Sequence, residues 1–209
     1  MSIYKEGFYE ALDALARNPM NPVMLDYVCD HWNNRGWTSG KEYIRAGIKG
    51  LYNSDGAVLE CGTGLTTCIL GRIAGDMGRL YVALEQCDSH HAKMQPVLAK
   101  AAPKVVVCLS SIKNYGSFDW YTDFPTWHGF DLVICDGPLG GTKGNRSGLV
   151  PLMRDQLSLD CTILLDDVNR SAEQKTMESW KADFQVAATK NDGKTRQFAV
   201  IRRKRSCET

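Results

Sequence analysis

Glu60, Gly62, Thr63, Gly64 and Thr66 sit within seven residues of one another, and their types suit a turn that cradles a charged ligand. The stretch Val58-Leu59-Glu60-Cys61-Gly62-Thr63-Gly64-Leu65-Thr66-Thr67 reads as a strand, a tight turn and a helix start. Gly62 and Gly64 allow positive φ and close approach of backbone to a ligand, and Ala57-Val58-Leu59 supplies the buried strand that presents them. A turn for a dinucleotide pyrophosphate wants a third glycine where Thr67 stands. Glu60, just before the glycines, would repel a pyrophosphate and suits a ligand carrying ammonium and sulfonium charge, such as S-adenosylmethionine. Glu85 follows 21 residues after Gly64, near the separation expected for a carboxylate on the next strand of a βαβ unit.

These residues act together only if the elements carrying them converge. Apolar spacing predicts a helix over Ile3 to Arg17, closed by Asn18-Pro19 and Asn21-Pro22, and a second over Val23 to Trp32. Asn33-Asn34-Arg35-Gly36 reads as a loop, after which Ser39 can cap a helix over Lys41 to Leu51. From Ala57 onward strands alternate with helices near Thr66 to Ala74 and His90 to Ala101; the second and third strands are Arg79 to Glu85 and Lys104 to Leu109. Such alternation implies a parallel sheet. Phe130 to Asp136 and Cys161 to Asp167 give a fourth and a fifth strand, each ending in aspartate. A helix near Ser171 to Ala182 comes next. Two alternating strands then close the chain, Phe184 to Thr189 and Arg196 to Arg203, joined through the hairpin signal Asn191-Asp192-Gly193. Open α/β sheets bind ligands at the carboxyl ends of parallel strands, so Glu60, Glu85, Asp136 and Asp167 are expected in one crevice. Each has a plainer reading beside this one: Glu60 and Glu85 as acids capping their own turns, Asp136-Gly137-Pro138 as a tight turn, Asp166 and Asp167 as helix-start acids.

The hydrophobic strand, the Glu-x-Gly-x-Gly turn and the acid ending the second strand resemble the first two motifs of the class I S-adenosylmethionine-dependent methyltransferases, and the closing hairpin is similar to theirs. The resemblance implies an α/β, Rossmann-like class I methyltransferase fold: a seven-stranded, mostly parallel sheet with a C-terminal antiparallel hairpin and N-terminal helices. It implies a cofactor site of Glu60, Gly62, Thr63, Gly64, Thr66, Glu85, Ser110 and Asp136, with Glu85 on the ribose hydroxyls. Ser110 replaces an aspartate that many relatives carry near the adenine amino group, where a hydroxyl can still bond. Within the class the pattern is similar to the small catechol O-methyltransferase-like branch, where the acid ending the fourth strand binds a divalent metal with an Asp-Asn pair ending the fifth. By that likeness Asp136 and Asp167 are the metal ligands, an oxygen set suited to Mg²⁺ or Ca²⁺. Val168 stands where the asparagine is expected, so Asp166 or Asn169 would have to substitute through a register shift. The branch's catalytic lysine falls on Leu139; Lys143, in the loop Leu139-Gly140-Gly141-Thr142-Lys143-Gly144, is the nearest lysine and joins Asp136 in the catalytic set, although such a loop is equally a solvated surface segment.

Composition agrees with one domain over residues 1–209: 44% hydrophobic and 23% charged residues are ordinary globular usage. Residues 1–52 are expected to form a helical cap and 53–209 the cofactor-binding core. A formal charge of +1 gives no strong attraction to nucleic acid or membrane, and Arg202-Arg203-Lys204-Arg205 reads as a solvated basic tail. Asp136-Gly137-Pro138-Leu139 also departs from the Asn-Pro-Pro-Tyr or Asp-Pro-Pro-Tyr of enzymes that methylate base amines, which disfavours nucleic acid as acceptor. The sequence shows no apolar run of transmembrane length and no signal-peptide pattern, so a cytoplasmic location is expected. Its eight cysteines contain no Cys-x-x-Cys pair and read as reduced, buried hydrophobes. Asn-Arg-Ser triplets at Asn145 and Asn169 match the glycosylation pattern and are read as chance. Phe118, Trp120, Tyr121, Phe124 and Trp127 could wall a planar acceptor, though such density more often packs; His90 and His91 read as surface, His128 as structural or exposed. The expectation is methyl transfer from S-adenosylmethionine to an oxygen of a small-molecule acceptor, with Mg²⁺ as an optional second cofactor and a homodimer left open. A cofactor-binding protein without catalysis is the alternative, and an NAD-dependent dehydrogenase the third reading.

Overall fold

The structure, a computed structural model, describes residues 3–33, 38–193 and 195–204. Five strands pair in parallel at its centre: β1 (Ala57–Cys61), β2 (Tyr81–Glu85), β3 (Val105–Leu109), β6 (Phe130–Cys135) and β7 (Leu157–Leu165). The hairpin β8 (Phe184–Asp192) and β9 (Arg196–Arg203) extends the sheet, β9 pairing antiparallel with β7, to give the order β3-β2-β1-β6-β7-β9-β8. A separate antiparallel pair, β4 (Ile112–Asn114) and β5 (Asp119–Tyr121), stands outside it. These short strands were not expected, because three residues are too few to show periodicity.

Both faces of the sheet are covered, which is why its central strands are apolar without strict alternation. On one face α1 (Phe8–Arg17), α2 (Pro22–Asp30), α3 (Lys41–Tyr52), α4 (Leu65–Asp76) and α5 (Asp88–Ala101) share a core with Val58, Tyr81, Ala83, Leu132, Ile134, Leu164 and Phe198. On the other, Trp120, Tyr121, α6 (Leu149–Met153) and the end of α7 (Ser171–Ser179) pack on Leu59, Val82, Leu84, Val133, Ile163 and Leu165. The aromatics Trp120 and Tyr121 are therefore core, whereas Trp127 is exposed. Ile44, Ile48 and Leu51 recur along the buried face of α3, each burial contributing roughly 1.5–3 kcal/mol. That helix lies directly on the sheet.

Several element boundaries differ from the sequence expectation for identifiable reasons. Helix α1 begins at Phe8, because Gly7 takes φ +84 and Tyr4 bridges to Trp32. Helix α3 is capped across the fold: the carboxylate of Asp192, at the end of β8, accepts from the amides of Glu42 (3.1 Å) and Tyr43 (3.4 Å). Ser39, expected to cap that helix, instead donates its hydroxyl to Asp136 Oδ2 at 2.9 Å. Arg202 and Arg203 belong to β9 and not to a solvated tail; Arg203 Nη1 donates to the Leu157 carbonyl at 2.8 Å, and the Lys204 amide to Asp183 at 2.8 Å. Arg205, and residues 34–36 of the expected loop, lie outside the described residues. Among the described residues no helix is long and apolar enough to cross a membrane, and the seven described cysteines are free thiols.

Candidate active site

The carboxyl ends of β1, β2 and β6 meet at the glycine turn. Gly62 adopts φ +90, the left-handed conformation that favours glycine, and its amide donates to the Leu84 carbonyl at 2.8 Å. Gly64 departs from the expectation of positive φ, since its φ of 176° is extended. What glycine provides there is room: a Cβ at Gly64 would meet nothing within 4 Å, so the helix start faces open space. The Gly64 amide is satisfied by Thr67 Oγ1 at 2.8 Å, so Thr67 closes the first turn of α4 where a dinucleotide turn would have glycine.

Glu85 ends β2 and reaches this turn directly. Its Oε2 accepts from the Thr63 amide (3.1 Å) and hydroxyl (2.5 Å), and its Oε1 from the Cys87 amide (2.8 Å). A carboxylate has further acceptor capacity, so a ribose diol can be added to this set. Ser110 is buried beside it: its amide donates to the Glu85 carbonyl (2.7 Å) and its hydroxyl accepts from the Asp123 amide (2.8 Å). His90, expected as surface, is half-buried with Nε2 at 3.0 Å from the Thr63 carbonyl; its place just after Glu85 at a helix start was the only signal. Glu60 points the other way, beneath α4. It is 1% exposed, and its carboxylate accepts from the hydroxyls of Thr66 and Tyr81 (2.9 Å for Tyr81). Burial raises its pKa to about 7, against the lowering effect of those hydrogen bonds. Glu60 and Thr66 thus fasten the first turn of α4 to β1 and present no open carboxylate.

Asp136 follows β6 and is hooked to β1, for the amides of Asp136 (3.2 Å) and Gly137 (2.6 Å) both donate to the Cys61 carbonyl. A Cβ on Gly137 would lie 2.5 Å from the Tyr121 hydroxyl and 2.8 Å from the Gly62 amide nitrogen, so glycine alone lets the two loops touch. The register pairs Cys135 with Leu165, which makes Asp166 the counterpart of Asp136 at the sheet end. Asp167 lies one residue further on, at φ +60. Asn169 turns to the hairpin, donating to the Thr195 carbonyl at 3.1 Å, and Val168 is buried. Asp136, Asp166 and Asp167 bring carboxylate oxygens within 4.8 Å of one another. Burial first, then Asp136 and Asp167, raise the pKa of Asp166.

A residue absent from the sequence reading occupies the centre of this cluster. Arg146, 3% exposed, donates from Nη2 to Asp136 Oδ1 (2.8 Å), the Asp136 carbonyl (2.6 Å) and Asp167 Oδ2 (3.1 Å). Its Nη1 donates to the Asp166 carbonyl (2.5 Å) and lies 3.6 Å from Glu173 Oε1. Burial opposes its charge, but Asp136, Asp167 and Glu173 more than compensate and raise its pKa. In the sequence the triplet Asn145-Arg146-Ser147 stands out only for its asparagine, which in the fold lies 3.5 Å from Glu173. Arg170 Nη1 adds a second cation on Asp167 Oδ2 at 2.9 Å. Arg146 thus occupies the place between Asp136 and Asp167 that the resemblance gave to a divalent ion. Lys143 is exposed, and its hydrogen bonds run to Asp119 of β5 and to the Gly116 carbonyl in the turn between β4 and β5, not to Asp136. A cleft of about 450 Å³ opens next to the cluster, lined by Leu139, Gly140, Asn145, Arg170, Ser171 and Glu173 among others.

Sheet order, hairpin and glycine turn together define the Rossmann-like fold of the class I S-adenosylmethionine-dependent methyltransferases. No family model matches the chain, and no curated protein matches it in sequence. Among solved structures it is similar to an O-methyltransferase from Bacillus cereus in complex with SAH, at 15% identity and TM-score 0.62, covering 96% of this chain and 91% of that one. It is similar to an SAH-bound methyltransferase of Podospora anserina, at 16% identity and TM-score 0.61 over 98% and 99% of the two chains. A ribosomal protein L11 methylase from Lactobacillus delbrueckii subsp. bulgaricus shares the fold at 15% identity and TM-score 0.56, over 79% and 80%.

Proposed function

We propose that the chain is a single-domain, cytoplasmic S-adenosylmethionine-dependent methyltransferase that methylates an oxygen of a small molecule. The observation that carries this reading is the meeting of Glu85, the Gly62-Thr63-Gly64 turn and Asp136 at one sheet end of this fold. Both similar proteins with nearly full coverage are described as bound to SAH, and one as an O-methyltransferase. When bound, the cofactor supplies an activated methyl electrophile. The chain's residues then have three tasks. Glu85 and Ser110 hold the nucleoside end by hydrogen bonds, and the open side of Gly64 leaves room beside the helix start. Asp136, whose side chain is 31% exposed, faces the acceptor and takes its hydroxyl proton through a carboxylate oxygen as the new bond to carbon forms. Alignment of donor and acceptor supplies much of the remaining acceleration. Lys143 is left as a loop anchor in this proposal, and the base is Asp136 alone.

Calorimetry with S-adenosylmethionine and with NAD, followed by a labelled-methyl assay over a panel of phenols and alcohols, tests the reading. Heat from NAD and none from S-adenosylmethionine would overturn it. A second reading, cofactor binding without catalysis, is favoured by one observation: both carboxylate oxygens of Asp136 already accept bonds, from Ser39 and from Arg146. It predicts S-adenosylmethionine binding with no labelled product from any acceptor.

A further inference from the structure

We propose that Arg146 is a resident cation that takes the place of a divalent metal ion among Asp136, Asp166 and Asp167, holding Asp136 in position so that the site works without metal. The inference rests on the methyltransferase reading only for calling this the transfer site; its charge argument stands on the coordinates of the cluster. Three carboxylates with oxygens within 4.8 Å of one another repel unless a cation lies among them. That cation is present: Nη2 of Arg146 bridges Asp136 Oδ1 and Asp167 Oδ2 at 2.8 and 3.1 Å while also holding the Asp136 carbonyl at 2.6 Å. The guanidinium fork suits this task, because its fixed donors engage backbone and carboxylate oxygens on both strand ends at once. Asp167 Oδ2 is further occupied by Arg170, so this one carboxylate oxygen already meets two positive groups. A Mg²⁺ ion needs near-octahedral oxygen ligands at about 2.1 Å, and Nη2 of Arg146 already fills the place between Asp136 and Asp167 where it would sit.

Arg146 would then be a positioning residue, acting on the acceptor through Asp136. It comes from the loop after Gly144, ten residues after Asp136, and its burial at 3% exposure depends on the four acids around it, Glu173 included.

Titration of the purified chain with Mn²⁺, read by the paramagnetic signal of the free ion and run without S-adenosylmethionine, tests the inference independently of methyl transfer. Wild-type protein is expected to leave Mn²⁺ free. Arg146→Gln, which removes the charge but keeps some hydrogen bonding, is expected to gain one Mn²⁺ per chain, and Arg146→Gln with Asp136→Asn to lose it again. Stoichiometric Mn²⁺ binding by wild-type protein that disappears in Asp136→Asn would overturn the proposal. So would an Arg146→Gln variant with a normal cooperative melt that still ignores Mn²⁺, since the arginine would then not be what keeps the ion out. If the variant does not fold, the wild-type titration decides alone. Failure of S-adenosylmethionine binding would sink the proposed function and leave this result standing.

Discussion

Asp136 is held by a neutral donor on one oxygen and a cationic one on the other, Ser39 at 2.9 Å and Arg146 at 2.8 Å. This arrangement fixes the side chain toward the crevice while leaving lone pairs for an acceptor hydroxyl. Asp136→Asn keeps the shape and removes the proposed base, so turnover is expected to fall roughly 10²-fold or more with S-adenosylmethionine affinity little changed. Single-turnover assays with an identified acceptor check it; near-normal turnover would make Asp136 only a turn residue. Ser39→Ala removes a hydrogen bond to an ionised carboxylate, worth about 1.5–3 kcal/mol, so a loss of roughly tenfold or more is expected. Glu85 acts on the other half of the site. On the proposed function, its replacement by alanine removes charge-assisted bonds to a ribose; it also frees the Thr63 amide and hydroxyl, for an expected loss of about 1.5–3 kcal/mol in cofactor binding by calorimetry.

At the scale of elements, the segment before α3 joins the hairpin to the site. Gly40 packs so closely on Asp192 that a Cβ would lie 2.1 Å from Oδ1, and Arg196 donates to the Thr38 carbonyl. The same short stretch then offers Ser39 to Asp136. The hairpin is thus more than the end of the sheet; it seats α3, and α3 seats Ser39. Asp192→Ala is expected to destabilise the fold by about 1–2 kcal/mol, as loss of a helix cap does. Denaturant unfolding measures that loss. Turnover should also drop in Asp192→Ala if the segment carries Ser39 into place, and a destabilised variant with full activity would separate the two roles.

Across the whole molecule, two buried acids are expected to make stability depend on pH near neutrality. Burial pushes Glu60 up to about 7 and also raises Asp166. A raised carboxyl binds its proton more tightly folded than unfolded, so its contribution is complete below the ordinary value of 4.5 and is lost as pH rises through about 7. For Glu60 alone the span corresponds to at most about 3 kcal/mol. Urea unfolding from pH 5 to pH 8 should therefore show falling stability. Glu60→Gln should flatten part of that slope, and an unchanged slope in the variant would show that Glu60 is ionised in the folded protein throughout.

The strand at Ala57–Cys61, the glycine turn, Glu85 after the second strand and the closing hairpin were legible in the chain because each is a local pattern: apolar runs, turn formers and an acid at βαβ spacing. The parallel sheet followed from their alternation. What the sequence could not determine were contacts between distant segments. Local pattern suggested Ser39 as a helix cap and Glu60 as a ligand contact; packing gave the cap to Asp192, Ser39 to Asp136, and Glu60 to Thr66 and Tyr81. Register decided that Asp166 stands opposite Asp136, a matter of one residue that no motif specifies. Arg146 shows the limit most directly. In the chain it is one basic residue in a glycine-rich loop, and only the folded sheet ends gather enough negative charge to bury it.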